Sequence, residues 1–95
     1  MTITTMAKVE NITSSRGNKV ANQFIFTDEI GNRYFQSYNS VIAKINPLNQ
    51  TYLDQKYWNY SNTTGKYRNI FLGETIKDTK AKIKSGEYIL TDLNK

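Results

Sequence analysis

Between Val20 and Tyr38 apolar and polar positions alternate in a way that suits paired strands. In Val20 to Thr27, Phe24 and Phe26 share one face of an extended chain and Ile25 takes the other. Asp28-Glu29-Ile30-Gly31-Asn32 then supplies turn chemistry, because Gly31 and Asn32 tolerate positive φ, and Arg33 to Tyr38 returns as the second strand of a hairpin. Upstream, residues 1–10 alternate more loosely, with Ile3 and Val9 among Thr and Lys, which predicts a first strand before a loop from Asn11 to Lys19. Downstream, the apolar run Val41 to Ile45 ends at Asn46-Pro47, where helical backbone is disfavoured and an N–H donor is lost. A strand or a short helix fits that run, and we read it as a strand.

The period changes in the second half. Tyr60, Thr64, Tyr67 and Phe71, with Ile70 adjacent, recur along one helical stripe. Ser61, Asn62 and Thr63 are candidate N-caps, and Gly73 suits the left-handed position past the end. Thr75-Ile76-Lys77-Asp78 has the form of a capping box with Asp in the Glu position, so a second helix runs from Thr75 to Ser85-Gly86. Glu87 to Leu90 reads as a closing strand. The expected fold is α+β: a small antiparallel sheet, made of a β-rich N-terminal half and a closing C-terminal strand, packed against two short helices. Residues 1–95 form a single domain, with 20–93 as its core and 1–19 a less regular strand and loop.

Composition narrows the chemistry. The chain has 95 residues, 38% of them apolar, which suffices for one modest core. It contains no Cys and no His, so disulfides, thiolate chemistry, imidazole catalysis and most zinc sites are excluded, and neither a metal nor a cofactor is expected. Thirteen Lys and Arg against eight Asp and Glu give +5, which favours acidic partners such as nucleic acid. The charge divides as +2 up to Leu48 and +3 after it, so any basic surface must be built by folding. Phe24-Ile25-Phe26 and Val41-Ile42-Ala43 are too short to span a bilayer, and Met1 to Thr5 has no charged leader region. A cytoplasmic protein without a membrane partner is the expectation, and the lack of Cys fits a reducing compartment.

Candidate catalytic groups are few. Without His, acid–base work falls to a carboxylate, Lys or Tyr with a shifted pKa. The adjacent pair Asp28-Glu29 sits in the predicted turn, where neither carboxylate is desolvated. Gly65-Lys66 lacks the rest of a phosphate-cradling loop. Asp54 and Lys56, flanking Gln55, are the weak remnant of a metal-dependent nuclease reading, so we expect no enzyme. The segment from Tyr52 to Arg68 interleaves aromatic and basic residues, a pattern that stacks on bases and neutralises phosphates. Trp58, Tyr67 and Phe71 are assigned to the core, with Trp58 its central aromatic, whereas Lys56, Tyr57, Tyr60, Lys66 and Arg68 are candidates for partner contact. Lys77, Lys80 and Lys84 share a broad face of the second helix beside Ile76 and Ile83 and extend the candidate surface. Asn62, Thr63 and Thr64 at the first helix start form a candidate anion site with Lys66 or Arg68.

The run Leu53-Asp54, Tyr57-Trp58-Asn59-Tyr60-Ser61, Thr63-Thr64, Lys66-Tyr67-Arg68 and Phe71-Leu72-Gly73 resembles a pattern in small, mostly uncharacterised bacteriophage-encoded proteins. Phe35-Gln36-Ser37-Tyr38, Ile42-Ala43-Lys44 and Ile83-Lys84-Ser85-Gly86-Glu87-Tyr88 are similar too, and the likeness covers residues 20–93. It carries over no catalytic residue. It implies a protein that acts by binding, to nucleic acid or to host enzymes and defence complexes. The leading expectation is therefore a non-catalytic, phage-type binding protein of the host cytoplasm that inhibits or modulates a host nucleic-acid-handling or defence complex. Direct binding of DNA or RNA is the alternative, and a homodimer through an exposed sheet edge is a further expectation.

Overall fold

A computed structural model of the protein describes residues 6–14 and 16–94, with the side chains of residues 6 and 7 excepted. Six strands form one sheet in sequence order: β1 (Met6–Thr13), β2 (Lys19–Asp28), β3 (Arg33–Ser37), β4 (Ser40–Ile45), β5 (Thr51–Asp54) and β6 (Ile89–Thr91). Helices α1 (Asn62–Leu72) and α2 (Ile76–Ser85) lie between β5 and β6. Neighbouring strands up to β5 pair antiparallel, and β6 returns parallel to β5 because the helical crossover carries the chain back to the end where β5 began. The architecture is the small α+β fold that the two periodicities predict.

The local signals act as read. Asp28 closes the β2–β3 turn by accepting from the N–H groups of Ile30 and Asn32 at 3.1 and 2.9 Å. Ser61 caps α1, its Oγ accepting from Thr64 N at 3.1 Å, and Gly73 ends the helix at φ 70°. Thr75 and Asp78 form the reciprocal capping box of α2, which Gly86 ends at φ 88°. Boundaries differ in places: Asn11 to Thr13, expected in a loop, continue β1 opposite β2, Tyr60 precedes α1 instead of opening its stripe, and the closing strand, expected over Glu87 to Leu90, is β6 at Ile89–Thr91. β5 was not foreseen, since Thr51 to Asp54 are masked by the aromatic and basic residues that follow. The strand predicted over residues 1–10 is present from Met6 onward, and its first five residues lie outside the described residues.

One face of the sheet is covered by the helices. Phe35, fully buried, stacks on Phe71 of α1 at 5.8 Å between centroids, and Ile12, Ile42, Ala43, Leu53 and Tyr88 join them in the core. Phe35 is thus the central aromatic. Trp58 and Tyr67 pack against the cluster from its rim, partly exposed, and Ile70 faces outward. A polar seam crosses this apolar layer: Gln23, Ser37 and Thr64 are all fully buried, and the hydroxyls of Ser37 and Thr64 bond at 2.9 Å. Thr64→Val keeps the volume but leaves the Ser37 hydroxyl without its partner, so it is expected to cost about 1–2 kcal/mol. The double variant Ser37→Ala/Thr64→Val should recover part of that loss in urea denaturation. Full additivity of the two single effects would show that the bond contributes nothing.

Candidate functional site

Arg68 is the largest correction to the sequence reading. Expected on the partner-contacting surface, it is 1% exposed, because the α1 stripe that buries Thr64 and Phe71 also buries the position between them. Its guanidinium lies over the Trp58 ring at 5.3 Å. One terminal nitrogen donates to Trp58 O and Asn59 Oδ1 at 2.8 and 3.0 Å, the other to Asn69 Oδ1 at 3.0 Å. All three acceptors are neutral, and among the described residues the Nε–H has no partner. Among the described residues no carboxylate lies within ion-pairing distance of it, the two ion pairs being Lys8–Glu10 and Lys82–Glu74. Burial pulls its pKa below the usual guanidinium value and distant Glu74 only partly opposes this, yet a guanidinium stays charged at any physiological pH.

Above this cation runs a cleft of about 280 Å³ along the flank of α1, reaching from Asn59 and the cap residue Ser61 to Ile76 at the start of α2. Asn62, Gly65, Lys66 and Asn69 form its α1 side, and Arg68 contributes to its wall. They recur at helical spacing, so one flank of α1 presents them together. Gly65 matters through its size. A Cβ there would lie 3.6 and 3.7 Å from the guanidinium nitrogens, so any side chain would sit over the charge. No acidic residue lines the cleft or the first turn of α1.

Of the candidate anion-binding residues, Asn62 lines the cleft. Thr63 is exposed outside it, and Thr64 is excluded because its side chain is spent on Ser37 in the core. Asn59 and Asn69 were missed; their one sequence signal is that both flank aromatic or basic residues in the Tyr57–Asn69 segment. Among the partner-contact candidates, Lys56 and Lys66 are exposed and Tyr57 is partly buried, edge-to-face with exposed Tyr60 at 5.4 Å. Lys56 lies over Tyr57 and Lys66 over Tyr67, so each ammonium is held near an aromatic face. Lys77, Lys80 and Lys84 are exposed along α2, while Lys82 turns the other way to Glu74.

Asp54, Asp78 and Glu74 are engaged by hydrogen bonds within the chain, whereas Glu10, Glu29, Glu87 and Asp92 are exposed. Asp54, 1% exposed, accepts from the N–H groups of Leu93, Tyr57 and Lys56 at 2.8, 2.8 and 3.0 Å, tying the C-terminal segment to the turn after β5. Burial raises its pKa, but these donors outweigh it and hold the carboxyl below its ordinary value. Asp78 is part of the capping box. Glu74 accepts from Lys82 Nζ and Tyr88 OH at 2.8 and 2.7 Å and from the Thr79 hydroxyl, in the wall of a second, polar cleft. Asp54 and Asp78 therefore hold the fold together, and alanine at either would test stability before chemistry. Among the described residues no group of three or more acidic side chains converges on a position where a metal could sit, and no helix is long and apolar enough to cross a membrane.

The opposite face of the sheet carries a row that the sequence pattern did not single out. Val9, Phe26, Tyr34, Lys44, Tyr52 and Ile89 are successive register partners across all six strands. Phe26 and Tyr34 stack at 4.7 Å, and Lys44 Nζ lies 5.8 and 5.7 Å from the Tyr34 and Tyr52 rings. These rings are engaged with one another, as cross-strand pairs that stabilise a sheet.

No curated protein and no solved structure matches the chain. A family model does: it spans residues 7–89, which takes in every element from β1 to the start of β6, both helices and the whole cleft. The chain therefore belongs to the family of unknown function DUF8033.

Proposed function

We propose that the protein is a non-catalytic binding protein that engages nucleic acid, free or within a host nucleoprotein complex, through the basic surface formed by Lys56, Lys66 and the α2 lysines. The observation that carries this reading is the division of charge. Asp54 and Glu74 are taken up by hydrogen bonds inside the fold, and Asp28 and Asp78 by the β2–β3 turn and the α2 capping box, which leaves Glu10, Glu29, Glu87 and Asp92 as the other exposed carboxylates. Lys56, Lys66, Lys77, Lys80 and Lys84, by contrast, are exposed without a carboxylate in ion-pairing range among the described residues. These five lysines therefore place unpaired positive charge on the surface of a chain whose net charge is +5, where it attracts phosphates. Its sign favours contact with nucleic acid itself over imitation of nucleic acid, which asks for an acidic surface. The phage-type role, inhibition or modulation of a host nucleic-acid-handling or defence complex, follows from this contact when the nucleic acid belongs to that complex.

Gel shift with single- and double-stranded probes across a salt series tests the reading. Each phosphate neutralised contributes about 0.7–0.9 to the slope of log affinity against log salt. Lys77→Gln/Lys80→Gln/Lys84→Gln is expected to reduce that slope by about 2 and weaken binding to both probes. Lys44→Gln, on the opposite face, should leave the slope unchanged. A salt-independent shift, or no shift beside a protein partner captured from host extract, would remove nucleic acid as the target.

A further inference from the structure

We propose that the cleft beside α1 is a binding site for a single phosphate group, with the amide NH2 groups of Asn59 and Asn69 and the Lys66 ammonium as its contacts and Arg68 as the buried charge beneath them. The inference deepens the nucleic-acid reading, since nucleic acid is the phosphate source it implies.

The argument begins with Arg68. A guanidinium can only donate, so the Asn59 and Asn69 atoms it meets at 3.0 Å must be their amide oxygens. This fixes both amides. Each then presents its NH2 away from Arg68, and among the described residues neither NH2 has a protein acceptor. The amide N–H of Asn62, in the first turn of α1, lies outside the helical ladder, the cap oxygen of Ser61 being taken by Thr64 N. Lys66 adds an ammonium at the rim. The residues that carry these donors thus line one cleft, whose lining includes no carboxylate.

The second, independent sign of a ligand is the cation itself. Arg68 is 1% exposed, has no partner for its Nε–H among the described residues and bonds directly to three neutral oxygens, with Glu74 acting on it only from beyond ion-pairing distance. A buried, unpaired charge is costly, and an anion bound in the adjoining cleft would offset that cost through a short, poorly screened distance. The absence of a side chain at Gly65 keeps the path between cleft and guanidinium open. A phosphate group fits this donor set because its several oxygens accept at once from amides, backbone and ammonium. It can come from the end of a nucleic acid, as a monoester, or from its backbone, as a diester.

Titration of the full chain with inorganic phosphate, followed by NMR, is expected to shift the Asn59 and Asn69 side-chain NH2 signals and the Asn62 amide saturably. Asn69→Asp puts a carboxylate against Arg68, neutralising it and removing one donor. It should keep the fold and weaken phosphate about tenfold or more, the equivalent of one charge-assisted hydrogen bond. Asn62→Asp, exposed at the helix start, should raise the thermal midpoint through the helix dipole while weakening phosphate, opposite signs that a purely structural role does not produce. No saturable shift in the wild type, or undiminished shifts in both variants, would overturn the site. Displacement of phosphate by a 5′-phosphorylated oligonucleotide but not by its unphosphorylated form assigns the chain end, and equal displacement by both assigns the backbone. If inorganic phosphate binds and neither oligonucleotide displaces it, the site stands and the nucleic-acid reading fails; if oligonucleotides bind while phosphate produces no shift, the site fails alone.

Discussion

Arg68→Ala is expected to destabilise the protein by about 3–5 kcal/mol, out of the 5–15 kcal/mol usual for a domain of this kind. The change removes a fully buried side chain that covers Trp58 and leaves Trp58 O, Asn59 Oδ1 and Asn69 Oδ1 without their donor. Arg68→Met separates packing from charge. Its thioether chain can still lie on Trp58, and it removes a cation whose desolvation no ion pair repays. A cost near 1–2 kcal/mol is expected, mainly from the orphaned Trp58 carbonyl. Urea denaturation of the three proteins measures the ordering. If methionine equals or exceeds arginine in stability while phosphate binding is lost, the charge serves the ligand and not the fold. A loss below about 1 kcal/mol for alanine would mean that the side chain is not enclosed as described.

The second large effect belongs to Glu74. Its side chain is 6% exposed and gathers Lys82, Thr79 and Tyr88 from α2 and the segment leading to β6, so one carboxylate joins the end of α1 to the last strand. Glu74→Ala is expected to cost about 2–3 kcal/mol. Tyr88 loses its acceptor inside the core, whereas half-exposed Lys82 can turn to water and Thr79 keeps its bond to Thr75 O. The same cluster sets the pH limits of stability. Burial raises the Glu74 pKa, but the donors from Lys82, Thr79 and Tyr88 prevail and hold it below the ordinary value. Its contribution is therefore full above the unfolded value of about 4.3 and is lost as pH falls through the lower, folded one. Asp54 and Asp28 act in the same direction, Asp28 chiefly through the Asn32 side-chain bond.

On the alkaline side the signs reverse. Burial, then the bond to Glu74, pushes Tyr88 up to about 12, and the bond to Glu74 raises Lys82 as well. Stability from Tyr88 is complete below its unfolded value of about 10 and disappears as pH rises toward about 12. The thermal midpoint should thus hold a plateau between about pH 5 and 10 and fall on both sides. Glu74→Gln should lower the plateau and flatten the acid limb. An acid limb parallel to that of the wild type would exclude Glu74 from it.

What can be read along the chain is local physics. The β2–β3 hairpin, the Ser61 cap, the capping box of Thr75 and Asp78, and the glycines that end both helices all depend on residues within a few positions of one another, so the pattern alone specifies them. The lysine face of α2 is legible for the same reason. The phage-type pattern added an expectation of binding, and membership of a family without a known function leaves that expectation as a proposal.

The rest depends on partners distant in sequence. Thr64 becomes a core residue because Ser37, on another strand, meets its hydroxyl, and Asp54 a fastener because Leu93 comes to its side. Arg68 looks like surface chemistry in a basic, aromatic segment. It is interior because the α1 stripe turns it over Trp58, where Asn59 and Asn69 take its donors. A hydrophobic period tells which side of a helix goes inward, but not which polar groups find compensation there, and burial of a charge is settled only by the oxygens that folding brings within 3 Å of it.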